Sequence, residues 1–92
     1  MAEYRYCLDG EVDVVTVPRL RSDLLNAMHA DGAHLLVDCT NLTFIDSSGI
    51  AVLLEANERL EADGRHLLVL NVPRGPRRAF DALGLADLLR YE

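Results

Sequence analysis

The tetrapeptide Asp46-Ser47-Ser48-Gly49 is the stretch of this 92-residue chain whose residue types and spacing best suit chemistry. Apolar residues at helical spacing begin directly behind it, with Ile50, Leu53, Leu54, Asn57 and Leu60 on the inner face. The tetrapeptide is therefore expected to open a helix running to about Ala62. A helix start has N–H groups without partners and carries partial positive charge. Aspartate and serine accept those hydrogen bonds, and in the plainest case Asp46 or Ser47 is only an N-cap. The same geometry leaves a hydroxyl exposed, fixed in place and surrounded by donors that favour an anion, which suits a phosphoacceptor. A phosphoryl group adds a charge of about −1.5 to −2. The helix start tolerates that charge, whereas Asp46 and Asp13 oppose it. Gly49, with no side chain, permits close approach of a partner's backbone.

Other chemistries find little support. No G-x-S-x-G elbow surrounds the serines, because Ile45 stands two residues before Ser47, so a hydrolase is not expected. His29, His34 and His66 are scattered and form no Cys/His cluster at zinc-binding spacing, and neither metal nor cofactor is expected. All nine basic residues are arginine, which excludes a Schiff-base lysine and a P-loop lysine. Cys7 and Cys39 form no CxxC pair and read as buried free thiols. With one strand between them they would lie about 9–10 Å apart, beyond the roughly 7 Å that a disulfide spans. The formal net charge of −6 is a poor start for binding nucleic acid. With 50% hydrophobic and 26% charged residues the composition is that of a globular protein, and the length suits one domain, residues 1–92. No apolar run approaches the roughly 20 residues of a membrane span. The first residues, MAEYRYCLDGEV, lack a signal-peptide layout. A cytoplasmic protein without membrane insertion is expected.

The elements that position the tetrapeptide follow from periodicity and turn residues. Tyr4 to Leu8 reads as a strand, Asp9-Gly10 as a hairpin turn, and Glu11 to Val15 as a second, antiparallel strand. Thr16 is a good N-cap and Pro18 sits in the first turn of a helix reaching about Ala30, with Val17, Leu20, Leu24, Ala27 and Met28 on one face and Gly32 as its cap. His34 to Cys39 suits a strand buried on both faces, and Thr40 to Ile45 a loop with apolar anchors. Asp63-Gly64 ends the second helix, and His66 to Leu70 forms another strand. Pro76 to Leu83 is a short helix with Phe80 and Leu83 inward, ended by Gly84, and Leu85 to Tyr91 a short edge strand. The order β-β-α-β-α-β-α-(β) predicts an α/β fold. Its mixed, mostly parallel sheet of four to five strands has an N-terminal β-hairpin and helices after strands 2, 3 and 4. Function then gathers at the carboxyl ends of the parallel strands, the edge that carries Asp13 to Thr16, Thr40 to Ser48 and Asn71 to Gly75.

Within that framework the stretch from Leu36 to Ile50, LVDCTNLTFIDSSGI, resembles the signature of the STAS domain family, and most of all that of the bacterial anti-sigma factor antagonists. Leu8-Asp9-Gly10-Glu11-Val12-Asp13, with Thr16 and Pro18, is similar to that family's first hairpin and helix start. Arg77 to Leu85 is similar to its third helix and following turn. The resemblance covers nearly the whole chain and implies a mechanism. An unphosphorylated antagonist binds an anti-sigma factor that is also an ATP-dependent serine kinase, and the sigma factor is released. The kinase then phosphorylates the antagonist, and a metal-dependent phosphatase reverses the modification. Carried over, Ser47 is the phosphoacceptor, Asp46 flanks it, Asp13 matches the acidic residue at the end of the second strand, and Ser48 supports. The chain would itself catalyse nothing. Family members usually continue into a further helix, whereas this chain stops at Tyr91-Glu92, so the resemblance implies that the final helix is absent or cut away. A short chain of this kind also resembles the STAS subunits of phospholipid-trafficking ABC transporters, which dock on an ATPase.

A few residues fall outside these patterns. Val52 lies off the inner face of the second helix, either as a surface valine or as a partner contact one turn beyond Ser47. Leu25 lies off the face of its own helix and reads as surface. Arg74, Arg77 and Arg78 form a solvated helix start, with recognition of an acidic partner or nucleotide phosphates as the alternative.

Overall fold

A computed structural model describes residues 3–29, 33–82 and 90–91. Its elements are β1 (Glu3–Cys7), β2 (Gly10–Val12), α1 (Val17–Met28), β3 (His34–Asp38), β4 (Leu42–Ile45), α2 (Ser47–Ala62), β5 (Leu67–Leu70), α3 (Arg74–Ala82) and β6 (Arg90–Tyr91). Four strands form one sheet in the order β1-β3-β5-β6, and β2 and β4 form a two-stranded ribbon. All described pairings are parallel. β3 lies between two neighbours and carries the run Leu35-Leu36-Val37, all buried, as a strand covered on both faces requires.

The predicted N-terminal hairpin does not form. β1 pairs with β3, Tyr4 facing Leu35 and Tyr6 facing Val37, and β2 pairs with β4 rather than folding back on β1. The reason lies in the bonds across Asp9-Gly10. The Leu8 N–H donates to the Asp38 carbonyl at 2.9 Å and the Gly10 N–H to the Asn41 carbonyl at 3.0 Å, so the chain keeps following its parallel partner. Gly10, at φ +73°, bends the path without reversing it. The stretch read as a loop between Thr40 and Ile45 supplies the partner: Leu42 and Ile45 are buried and form the ends of β4. The predicted second strand is also shorter, stopping at Val12, because Asp13 to Thr16 turn into α1.

Both long helices form as their spacing predicts. α1 buries Val17, Leu20, Leu24 and Ala27, and α2 buries Ile50, Val52, Leu53, Ala56, Asn57 and Leu60. They pack on each other, with Arg21 of α1 reaching Glu55 of α2 at 3.4 Å. Leu25, read as surface, is half-buried and lines the seam between them. Arg65 pairs with Asp63 at 3.0 Å and donates to the Met28 carbonyl at 2.9 Å, satisfying an end group of α1. Gly64 follows α2 at φ +73°. Tyr6 of β1 donates through its hydroxyl to Asp23 of α1 at 3.0 Å, and burial, together with that carboxylate, pushes the phenol up to about 12. α3 seals the core with Phe80, 1% exposed, while Arg74, Arg77 and Arg78 are exposed. The expected roles of Gly32, Leu83, Gly84 and most of Leu85 to Tyr91 lie outside the described residues, which include only Arg90–Tyr91 of the predicted last strand, paired with β5.

Candidate functional site

The start of α2 is built by Asp46. Its backbone is extended (φ −107°, ψ −177°), as an N-cap requires, and its N–H donates to the Val12 carbonyl of β2 at 3.1 Å. Oδ1 of Asp46 accepts from the Ser48 N–H at 3.0 Å, the Gly49 N–H at 3.3 Å and the Ser48 hydroxyl at 2.5 Å. The Ser48 hydroxyl is the main reason that the Asp46 carboxyl is held below the usual carboxylate range, with the two backbone N–H groups adding to it. Ser48 is thereby half-buried and committed to the cap. Ser47 is exposed, and its hydroxyl bonds to none of the described residues. The fold therefore separates two adjacent serines, one tied into the helix start and one presented outward.

The β2–β4 register, with Val12 opposite Ile45, brings Asp13 beside Asp46. Asp13 is half-buried and opens α1 by a reciprocal bond. Its Oδ1 accepts from the Val15 N–H at 2.9 Å and the Thr16 N–H at 3.2 Å, while Thr16 Oγ1 accepts from the Asp13 N–H at 2.9 Å. Thr16, expected as the capping side chain, makes no cap bond to α1; Asp13 instead holds the turn before it with its side chain and accepts from the Val17 N–H with its carbonyl at 2.9 Å. The ends of β2 and β4, which lead into Asp13 and Asp46, thus lie side by side ahead of α2.

Two expected contact residues prove to be internal. Gly49 is buried, and a Cβ there would lie 2.6 Å from Val12 Cγ1 and 2.9 Å from Ile45 Cγ1. The close approach that glycine permits is that of α2 to the chain's own β2–β4 ribbon, not that of a partner. Val52 is 3% exposed and belongs to the core. Its position falls off the inner face read from the sequence because α2 is covered on two sides, by the strands and by α1, and the second cover is invisible in the periodicity of one helix.

A second arrangement on the same edge escaped the sequence. Asp38, at the end of β3, accepts from the Thr40 hydroxyl at 2.6 Å, the Thr40 N–H at 3.1 Å, Asn71 Nδ2 at 3.2 Å and Arg5 Nη1 at 2.7 Å. The Thr40 hydroxyl leads in holding its carboxyl down to about 2. Asn71 sits at φ +58°, the left-handed region that asparagine tolerates. The only sequence signal was the D-x-T spacing after an apolar run, which suits a side-chain-to-backbone turn. The cysteines are both free, but Cys7 is exposed rather than buried, and it faces Asp38 in register because β1 is the direct neighbour of β3. Cys39 is buried, and desolvation pushes its thiol up to about 12. His34 and His66 stack with ring centroids 5.2 Å apart, and the His66 N–H donates to His34 Nδ1 at 3.0 Å, while His29 is exposed. They sit at the amino ends of β3 and β5, away from Ser47. Among the described residues no group of three or more His, Cys, Asp or Glu is placed to hold a metal ion, and no helix is long and apolar enough to cross a membrane.

The model of the STAS domain family matches residues 5–92. This chain belongs to the STAS domain family. An anti-sigma-B factor antagonist of Staphylococcus epidermidis is 33% identical to it over 87 residues, 94% of this chain and 80% of that one. The solved structure of the anti-sigma factor antagonist SpoIIAA in its unphosphorylated form superposes with a TM-score of 0.81 at 25% identity, covering 99% of this chain and 80% of that one. The Bacillus cell fate determinant SpoIIAA in its phosphorylated form superposes with a TM-score of 0.69 at 26% identity, covering 96% and 80%. The parallel sheet and three helices of this STAS domain are thus the architecture of those antagonists, and one of them exists in a phosphorylated form.

Proposed function

We propose that this STAS domain is an anti-sigma factor antagonist switched by phosphorylation of Ser47. In the unphosphorylated state it binds, in the cytoplasm, an anti-sigma factor that is also an ATP-dependent serine kinase, and the sigma factor is set free. The kinase transfers a phosphoryl group to Ser47 and ends the interaction; a phosphatase restores it. The domain is the substrate of that chemistry and catalyses none itself. The observation that carries the reading is the contrast between the serines, Ser47 exposed and unbonded beside Ser48 committed to Asp46. On this reading Asp13 and Asp46, at the ends of the paired strands β2 and β4, flank the phosphoacceptor, and Ser48 and Gly49 support the helix start that carries it. A dianion at Ser47 adds bulk and charge at a surface matched to a small hydroxyl, and docking would have to strip its water, so the interaction is lost.

The test is incubation with the anti-sigma factor kinase of the same organism and ATP, followed by intact-mass and fragment analysis. One phosphoryl group is expected on wild type and on Ser48→Ala, and none on Ser47→Ala. Modification elsewhere, or none on wild type, contradicts the proposal. Stable co-purification with an ATP-binding-cassette ATPase, and indifference to the kinase, would instead make the chain a transporter subunit.

A further inference from the structure

Four large hydrophobic side chains stand exposed among the described residues, and three of them belong to the segments that flank Ser47. Val14 is 73% exposed, Val15 81% and Phe44 49%. The parallel ribbon brings these segments together. Glu11 faces Phe44 and Val12 faces Ile45, so Val14 and Val15 leave β2 where Ser47 leaves β4. Single exposed apolar residues are ordinary, but a cluster at one corner marks a contact surface. Two β-branched residues in a turn are also unusual, since turns favour Gly, Asn, Asp and Ser. Folding does not use them: the Asp13–Thr16 bonds make the turn from backbone groups and from the side chains of Asp13 and Thr16 alone.

The rim of this corner is acidic. Glu11 is exposed, and Asp13 and Asp46 are half-buried. None of the three enters an ion pair with the described residues. Asp13 and Asp46 are hydrogen-bonded only to backbone N–H groups and, for Asp46, a hydroxyl, so no side-chain cation among the described residues neutralises them.

We propose that Val14, Val15 and Phe44 are the apolar anchors by which this chain docks on its anti-sigma factor, and that the partner offers an apolar socket ringed by arginine or lysine. Charge complementarity selects that occupant: an acidic rim around an apolar centre excludes acidic partners and steers basic ones. Anchors of this kind carry most of an interface's affinity, and the rim sets the association rate. The inference rests on the antagonist reading above and adds the residues that determine which partner is chosen.

The experiment measures binding of the purified anti-sigma factor of the same organism by calorimetry and surface-binding kinetics. The chains compared are wild type, the Val14→Ser/Val15→Ser double variant, Phe44→Ser, Glu11→Arg and Tyr4→Ser, with melting curves confirming that each is folded. Tyr4, the remaining exposed large hydrophobic, is 45% exposed on β1 and serves as the control. The double variant and Phe44→Ser are each expected to bind at least about tenfold more weakly, mainly through faster dissociation. Glu11→Arg should slow association, and Tyr4→Ser should stay within about twofold of wild type. Unchanged affinity in the double variant and in Phe44→Ser, with Ser47→Asp still abolishing binding, overturns the anchors and leaves the antagonist reading standing. A wild-type chain that binds no anti-sigma factor overturns both. Sedimentation showing a wild-type dimer that the double variant dissolves assigns the corner to a second copy of this chain and overturns the proposal.

Discussion

At the scale of single residues, Ser47 and Ser48 show how a fold gives identical side chains different fates. Ser47 follows the cap directly, but only Ser48 stands two residues past Asp46, where its N–H and hydroxyl both reach Oδ1. The tetrapeptide announced this helix start, because Asp and Ser before an apolar helical pattern have few other uses. It could not say which hydroxyl the cap would consume, since that depends on the extended backbone at Asp46 and the bond from its N–H to Val12. Asp38 carries a second consequence at this scale. Its carboxyl is held down to about 2 by Thr40, Asn71 and Arg5, and Asp46 is shifted in the same direction. A carboxylate with a lowered folded pKa adds stability that is present above its unfolded value of about 4 and is lost as the pH falls through the folded value. The melting temperature should therefore drop between about pH 4 and pH 2. Asp38→Asn should lower it at neutral pH and flatten that drop, which thermal melts across the range will read. A variant as acid-sensitive as wild type would remove Asp38 from the account.

At the scale of elements, the decisive contact is the seat of α2 on the β2–β4 ribbon. Gly49 lets the helix start sit so close that an added Cβ falls 2.6 Å from Val12 Cγ1. Alanine favours a helix over glycine by about 1 kcal/mol. Overpacking a filled site costs about 1–3 kcal/mol. Gly49→Ala is therefore expected to destabilise by about 1 kcal/mol, measured by urea unfolding, and to move Ser47 relative to Asp13. A stabilised variant would mean that the seat is looser than described. The helices were legible because their apolar spacing is local: Leu20, Leu24, Ile50, Leu53 and Leu60 all face inward as their positions predict. The strand pairing was not. Asp9-Gly10 has the residues of a hairpin turn, but pairing is decided by the neighbour that supplies backbone partners, and those partners, Asp38 and Asn41, lie about thirty positions away. β4 was missed for the same reason: a four-residue strand whose two middle residues are exposed shows no alternation. Val52 marks the same limit in a helix, where tertiary cover on a second side adds a buried position that one periodicity does not reveal.

At the scale of the whole molecule, acidic charge gathers at one corner of a STAS domain. The chain carries a formal net charge of −6, and the carboxylates near Ser47 have no cation among the described residues to offset them. A phosphoryl group there changes little inside the fold, because Ser47 is exposed and the start of α2 favours an anion, so the modified domain should keep its structure. On the proposed reading its effect falls on the contact with the partner, where a hydrated dianion takes the place of a small hydroxyl and must be desolvated to dock. The measurement that bears most directly on this is the affinity of the anti-sigma factor for wild type, Ser47→Ala and Ser47→Asp, each shown by circular dichroism to be folded. Wild type and Ser47→Ala should bind alike, and Ser47→Asp should lose at least about tenfold. A folded Ser47→Asp that binds as tightly as wild type would contradict the account.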